Sequence, residues 1–178
     1  GTQARYGDLI PSRLDIAFAA DFLARTALQN SLFAGGARAS RLLIPRCTYC
    51  SPEIAAVGLS DQEARQRSAD VLTLTGDLSA NDRSVLDGST SGFVRLYVAR
   101  RNGRILGATI VGEHAGELIS EVSVAMVNGM KVSRLAAVIH PYPTVADALR
   151  RLGDQYNRQR LTPFVKRILQ LFLRWRIW

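Results

Sequence analysis

Phe93-Val94-Arg95-Leu96-Tyr97-Val98-Ala99-Arg100 and Arg104-Ile105-Leu106-Gly107-Ala108-Thr109-Ile110-Val111-Gly112 flank the short stretch Arg101-Asn102-Gly103. Both runs are rich in β-branched, aromatic and aliphatic residues, the composition of half-buried strands. Asn-Gly between two such runs is the strongest short-range hairpin signal. It predicts a two-residue type I′ turn, in which both central residues take positive φ. An antiparallel pair therefore stands at the centre of the chain. Around it strands and helices alternate irregularly. The reading is an α+β fold with a mainly antiparallel sheet flanked by helices.

Moving toward the N-terminus, Gly76–Gly92 is polar and turn-rich and reads as a surface loop. Asp70–Thr75 alternates as a strand. Ser60-Asp61-Gln62-Glu63 has capping-box spacing and starts a helix from Asp61 to about Arg67. Leu42-Leu43-Ile44 marks a short buried strand over Arg41–Arg46. Asp15 to about Leu32 reads as a core helix, with Ile16, Ala19, Ala20, Leu23 and Ala27 on one face and Gly35-Gly36 as its stop. Residues 1–14 read as loop.

Toward the C-terminus, Ala115–Asn128 is a helix with an apolar stripe of Leu118, Ile119, Val122, Ala125 and Met126. Val132–Ala137 is a short helix. Val138–Asp154 then forms a corner and a helix. Pro141 and Pro143 fix φ on either side of Tyr142. Thr144 reads as N-cap with Asp147 three residues on, and Gly153 as the C-terminal stop. This places Tyr142 and His140 at the mouth of a helix N-terminus, where a positive dipole end favours anions. Thr162-Pro163 opens a last, basic amphipathic helix, with Phe164, Ile168, Leu171, Phe172 and Trp175 on one side.

A chain of 178 residues with 47% apolar content is long enough for one domain with a proper core. No run of 18 apolar residues occurs, so no membrane-spanning helix is expected. The N-terminus shows no apolar signal region, and the missing initiator Met is what a processed or incomplete chain would show. The formal charge of +8 is uneven: Arg158, Arg160, Lys166, Arg167, Arg174 and Arg176 have no acidic counterpart from Gln155 to Trp178. Such a block favours nucleic acid, anionic lipid or an acidic partner. No nucleic-acid motif or stacking platform accompanies it, which argues against a nucleic-acid binder. Cys47 and Cys50 form a single Cys-x-x-Cys with no second pair, so no structural metal site is expected. The pair follows a strand-like run instead of opening a helix, which favours incidental thiols over a catalytic dithiol.

Four segments together resemble the FAD-dependent pyridine nucleotide–disulfide oxidoreductases, the family of glutathione reductase, dihydrolipoamide dehydrogenase and mercuric reductase. Ile44-Pro45-Arg46-Cys47-Thr48-Tyr49-Cys50-Ser51-Pro52-Glu53-Ile54-Ala55-Ala56-Val57-Gly58-Leu59 is similar to the segment that opens the family's dimerisation domain, with Cys50 in place of the commoner Thr. Arg104–Gly112 resembles its Ile-Leu-Gly strand, and His114–Ile119 its interface helix. Tyr142-Pro143-Thr144-Val145-Ala146-Asp147 resembles its His-Pro-Thr-x-x-Glu signature. The resemblance covers roughly residues 7–156. It implies that Tyr142 takes the place of the catalytic His, as in the mercuric reductase branch, and Asp147 that of the Glu that orients it. His140 stands two residues earlier and is the alternative for the residue facing the reacting centre. Asp8, in Gly7-Asp8, takes the place of a flavin contact.

The resemblance implies a remnant of an FAD-binding domain over 1–40 and a dimerisation domain over 41–156; residues 157–178 read, from their own charge and spacing, as a basic amphipathic helical tail that the resemblance does not cover. The resemblance implies a C-terminal interface domain of an FAD- and NAD(P)H-dependent disulfide or mercuric reductase-like enzyme, active as a homodimer. No Gly-x-Gly-x-x-Gly fingerprint and no Cys-x-x-x-x-Cys active disulfide occur. Alone the chain is expected to hold neither cofactor and to be inactive; it reads either as a truncated chain or as a separately encoded piece whose missing domains are supplied in trans. The other reading is a non-catalytic homodimerisation or membrane-surface docking module. Either is expected in the cytoplasm, the second peripheral to the inner face of the membrane.

Overall fold

Val94, Leu96 and Val98 are 0–1% exposed, whereas Phe93, Arg95 and Ala99 are half-buried. That alternation is the period of a strand with one face on a core. The computed structural model describes residues 13–33, 42–67, 70–161, and 167, 171, 172 and 174. The elements in order are α1 (Arg13–Phe33), β1 (Arg46–Thr48), β2 (Glu53–Gly58), α2 (Asp61–Arg67), β3 (Val71–Asp77), a 3-10 turn (Leu78–Ala80), α3 (Asp82–Leu86), β4 (Phe93–Ala99), β5 (Ile105–Gly112), α4 (Ala115–Val127), α5 (Val132–Leu135) and α6 (Asp147–Gln159). The strands form one sheet in the order β1-β2-β5-β4-β3, with every neighbouring pair antiparallel. This is the expected α+β architecture.

One face of the sheet carries the core. Ala55 and Val57, Leu74, Val94, Leu96 and Val98, and Ile105, Ala108 and Ile110 meet Ile119, Val122 and Ala125 of α4 and Leu149, Leu152 and Tyr156 of α6. The opposite face is mostly polar: Arg95 Nε donates to Thr75 Oγ1 at 3.1 Å, and the Tyr97 and Thr109 hydroxyls lie 3.2 Å apart. There α2 covers one corner through Ala64, Val71 and Tyr97. Its capping box is formed as read, with Ser60 N–H donating to Glu63 Oε2 at 2.9 Å and Glu63 N–H to Ser60 Oγ at 3.3 Å.

Several local expectations change. The hairpin is closed by a four-residue loop, not a type I′ pair: Gly103 N–H donates to Ala99 O at 2.8 Å, and of the two central residues only Gly103 has positive φ, at +73°. Asn102 Oδ1 instead accepts the Arg104 N–H at 3.0 Å. Tertiary contacts hold the wider loop. Tyr156 packs on Gly103 and donates to Arg100 O at 3.3 Å, and Val132 N–H donates to Gly103 O at 2.9 Å. Gly153 does not stop its helix. It lies buried inside α6, where a Cβ would stand 2.5 Å from Ala136 N and 2.9 Å from Val132 O. The missing side chain lets α6 touch the α5 backbone.

The expected strand over Arg41–Arg46 starts only at Arg46, after Pro45, which has no N–H for a ladder. The expected loop over Gly76–Gly92 contains α3, started by Asn81, whose Oδ1 accepts the Ser84 N–H at 3.0 Å. Short polar residues that read as loop act there as caps. The helix α1 forms but is not a core helix. Ala20, Leu23 and Ala27 are exposed, Phe22, Leu28, Leu32 and Phe33 are 56–77% exposed, and none of its described side chains joins the core. Its apolar residues go all round the helix instead of forming one stripe. Asp8, Gly35-Gly36 and most of the helix expected after Thr162 lie outside the described residues. No helix among the described residues is long and apolar enough to cross a membrane.

Candidate functional site

The corner between α5 and α6 turns on two prolines. The Tyr142–Pro143 bond is cis, and the Tyr142 ring is 74% exposed. Thr144 is not the N-cap: its hydroxyl donates back to Pro141 O at 2.8 Å, and α6 starts at Asp147 after a turn through Val145 and Ala146. Asn81 Nδ2 donates to Thr144 O at 3.2 Å and ties the corner to the start of α3.

The Tyr142 hydroxyl donates to Asp82 Oδ2 at 3.2 Å. The same carboxylate oxygen accepts Arg151 Nη2 at 3.1 Å, while Arg151 Nη1 donates to Ala80 O at 2.8 Å. Arg151 Nε donates to Asp147 Oδ2 and Arg150 Nε to Asp147 Oδ1, both at 2.7 Å, and Arg150 Nη1 reaches Asp154 at 2.8 Å. A chain of alternating charge thus runs from the phenol to the middle of α6. The expected pairing of Asp147 with Tyr142 is absent among the described residues, because two arginines occupy both oxygens of Asp147. Burial pushes the Asp147 carboxyl up, but the bonds and charges of Arg150 and Arg151 outweigh it and hold its pKa below the ordinary value. The bond to Asp82, and then its charge, push the Tyr142 phenol above the ordinary value. Tyr142 is therefore a neutral donor at neutral pH and a worse general base than free tyrosine.

His140 points the other way. Its side chain is 5% exposed, and Nε2 lies 3.0 Å from Glu121 Oε1 on α4. Its Nδ1 is buried with no hydrogen-bond partner in the structure. Tyr142 and His140, the two alternatives the sequence offered, are thus held by different elements. Asp82, Arg151 and Glu121 were not legible as site residues. The first lies in a stretch that reads as loop, and the others look like the solvated faces of helices.

Cys47 lies in β1 with its sulfur against the N-terminus of α4, where a Cβ on Gly116 would stand 2.9 Å from it. Cys50 is exposed and its thiol donates to Pro52 O at 3.1 Å. Neither opens a helix, and neither is in a disulfide. Glu53 Oε2 accepts the Gly116 N–H at 3.0 Å and so caps α4. His114 is exposed at that cap with φ 59°. A shallow hollow of about 210 Å³ there is lined by Cys50, Glu53, Glu113 and His114 among others. No group of three or more potential metal ligands occurs among the described residues.

With this geometry in hand, comparison with known proteins is informative. The matched family model is the pyridine nucleotide-disulphide oxidoreductase dimerisation domain, over residues 44–152. That span contains the whole sheet, α2 to α5, the Tyr142 corner and the first part of α6. Dihydrolipoyl dehydrogenase of Mycobacterium tuberculosis is 35% identical over 108 residues, 61% of this chain and 23% of that protein. The Thermus scotoductus enzyme of the same name is 32% identical over 142 residues, 77% of this chain and 31% of its own length. Among solved structures, LpdA from Mycobacterium tuberculosis superposes with a TM-score of 0.73 at 28% identity, over 83% of this chain and 31% of that one. The HOCl-induced flavoprotein disulfide reductase RclA from Escherichia coli gives 0.65 at 26% identity, over 71% and 30%.

The fold is thus that of a domain of the flavoprotein disulfide reductases. More particularly, the chain belongs to the family of pyridine nucleotide-disulphide oxidoreductase dimerisation domains. It spans between about a quarter and a third of the length of the relatives it matches.

Proposed function

We propose that this chain is the interface domain of an FAD- and NAD(P)H-dependent reductase of the mercuric-reductase-like branch, and that it presents Tyr142 to the redox centre of a partner subunit. The observation that carries this reading is the outward corner. Ile139 is 95% and Tyr142 74% exposed, and Val124 and Val127 on α4 are 60% and 71% exposed. The His140–Glu121 contact joins the corner to α4, the helix that carries Val124 and Val127. An exposed apolar patch of this kind marks an interaction surface.

The described residues do not fit a flavin or dinucleotide. The hollow near Cys50 is small, and the larger groove along α6 is open and lined by Arg150, Arg151, Asp154 and Arg158. In the complete enzyme the cofactors supply hydride transfer from outside this chain. What this chain contributes is a positioned phenol. Asp82 fixes the hydroxyl, Arg151 fixes Asp82, and Asp147 fixes Arg151. A neutral phenol so held has its one proton in the bond to Asp82 and offers an oxygen lone pair to a metal ion or to a hydrogen-bond donor; to donate to a thiolate it must first leave Asp82. It does not take up a proton at neutral pH.

Sedimentation equilibrium together with the visible spectrum tests the reading. A colourless dimer is the expected result. A chain that stays monomeric at high concentration, or one that purifies with a flavin band, overturns it.

A further inference from the structure

Five exposed cations crowd the end of the domain where the β4–β5 loop, the α4–α5 connection and the end of α6 meet. Arg104 and Lys131 pair across an isolated antiparallel bridge, which places two like charges side by side. Arg101 lies in the adjoining loop. Arg134 follows one turn beyond Lys131, its N–H bonded to Lys131 O at 2.8 Å. Arg160, just past α6, lies over the Tyr156 ring with 5.7 Å to its centroid, and Tyr156 in turn packs on Gly103. All five are exposed, and none makes an ion pair among the described residues. Arg100 in the same loop differs, being paired with Asp70 at 3.0 Å. Like charges set opposite one another destabilise a fold, so this cluster does nothing for the domain by itself.

The chain leaves the domain at the same end. Leu161 follows Arg160, its N–H bonded to Arg158 O at 3.1 Å. From Leu161 to Trp178 the sequence adds Lys166, Arg167, Arg174 and Arg176 and no acid. Phe164, Ile168, Leu171, Phe172, Trp175 and Trp178 are interleaved with them. Leu171 and Phe172 are 60% and 50% exposed.

We propose that this end of the molecule docks on the anionic phospholipid surface of a membrane. The folded cations face the headgroups, and the sequence beyond Leu161, rich in aromatic and aliphatic residues, supplies the apolar anchor. Stable surface binding takes two signals, an apolar anchor and a polybasic patch, and both occur here side by side. A nucleic acid fits less well. The aromatic ring among the folded cations, Tyr156, is 2% exposed and offers no face for base stacking.

Co-sedimentation of the full chain with phosphatidylcholine vesicles, with and without phosphatidylserine and at low and high salt, tests the proposal. Binding should require phosphatidylserine and weaken with salt. Each cation near such a surface is worth about fivefold in affinity, so R101Q/R104Q/K131Q should bind about a hundredfold more weakly. The charge-preserving R101K/R104K should bind like the parent. The neutralised side chains hold no ion pair, so the triple variant should keep its thermal midpoint; R134Q/R160Q, carried separately, should also weaken binding. Equal binding to neutral vesicles, no binding at all, or full binding by the triple variant overturns the proposal. So does displacement from vesicles by duplex DNA at equal concentration of charge, which would assign the surface to nucleic acid.

Discussion

Tyr156 and Tyr142 stand fourteen positions apart around the start of α6 and meet opposite fates. Tyr156 is 2% exposed, its ring packed on Gly103 and its hydroxyl bonded to the Arg100 carbonyl. Tyr142 is 74% exposed and bonded to a carboxylate at the surface. The first closes a junction of three elements of its own chain. The second is held firmly in place while its ring remains in solvent. The same side chain serves the fold where its apolar body is buried, and serves recognition where only its polar tip is anchored.

The sharpest test of that contrast is truncation. Tyr156→Ala should cost about 4 kcal/mol of unfolding free energy in urea titrations, the usual loss for a buried aromatic. Tyr142→Ala should cost below about 0.5 kcal/mol. Similar losses for the two would erase the distinction. Gly153→Ala comes next. Alanine normally gains about 1 kcal/mol over glycine inside a helix. Here the added methyl meets the backbone of Ala136 and Val132, and a net loss of about 2 kcal/mol is expected. A gain in thermal midpoint would mean that α5 and α6 are not in close contact.

Asp147→Asn tests the anchor of the corner and should cost about 2 kcal/mol, in the range for hydrogen bonds to charged groups. The sign of its pH dependence follows from the lowered pKa. The contribution of Asp147 is fully present above the ordinary value of 3.8 and is lost as pH falls from there through the lower folded value. Acid titration of the Asn variant should therefore lack this part of the loss. A parallel acid profile would show that Asp147 is not tied to its arginines in solution. The smallest effect on folding, below about 0.5 kcal/mol, is expected for Ile139→Ser, which is 95% exposed. The same change should raise the dissociation constant of a dimer about tenfold, measured by sedimentation. Loss of folding without a change in association would place Ile139 in the domain instead of at its surface.

The sheet was legible because its strands alternate and its hairpin carries a glycine that must turn. Gly103 does take positive φ, although the loop is longer than Asn-Gly alone suggests. What was not legible has a common cause. Gly153 reads as a stop, and only the presence of α5 against it turns the missing side chain into a contact. Asp82 reads as loop polarity until Asn81 caps a helix that carries it toward Tyr142. The Asp147 carboxylate stands where the family resemblance implies an orienting acid, yet Arg150 and Arg151, three and four residues on, take both its oxygens. Spacing along one helix reports which groups share a face. It does not report which of several nearby partners wins.

The acceptor that fixes the Tyr142 hydroxyl belongs to α3, a short helix between the edge strand β3 and its neighbour β4 that contributes Ser84 but no apolar side chain to the buried set. The reach of the corner is therefore set by a detachable piece. Changing α3 and the loop after it, residues 82–91, would re-aim the phenol while Leu78, which is 1% exposed, keeps its place in the core. A family that shares one scaffold could adapt to different chemical targets through this outlying segment, with no substitution at the corner itself.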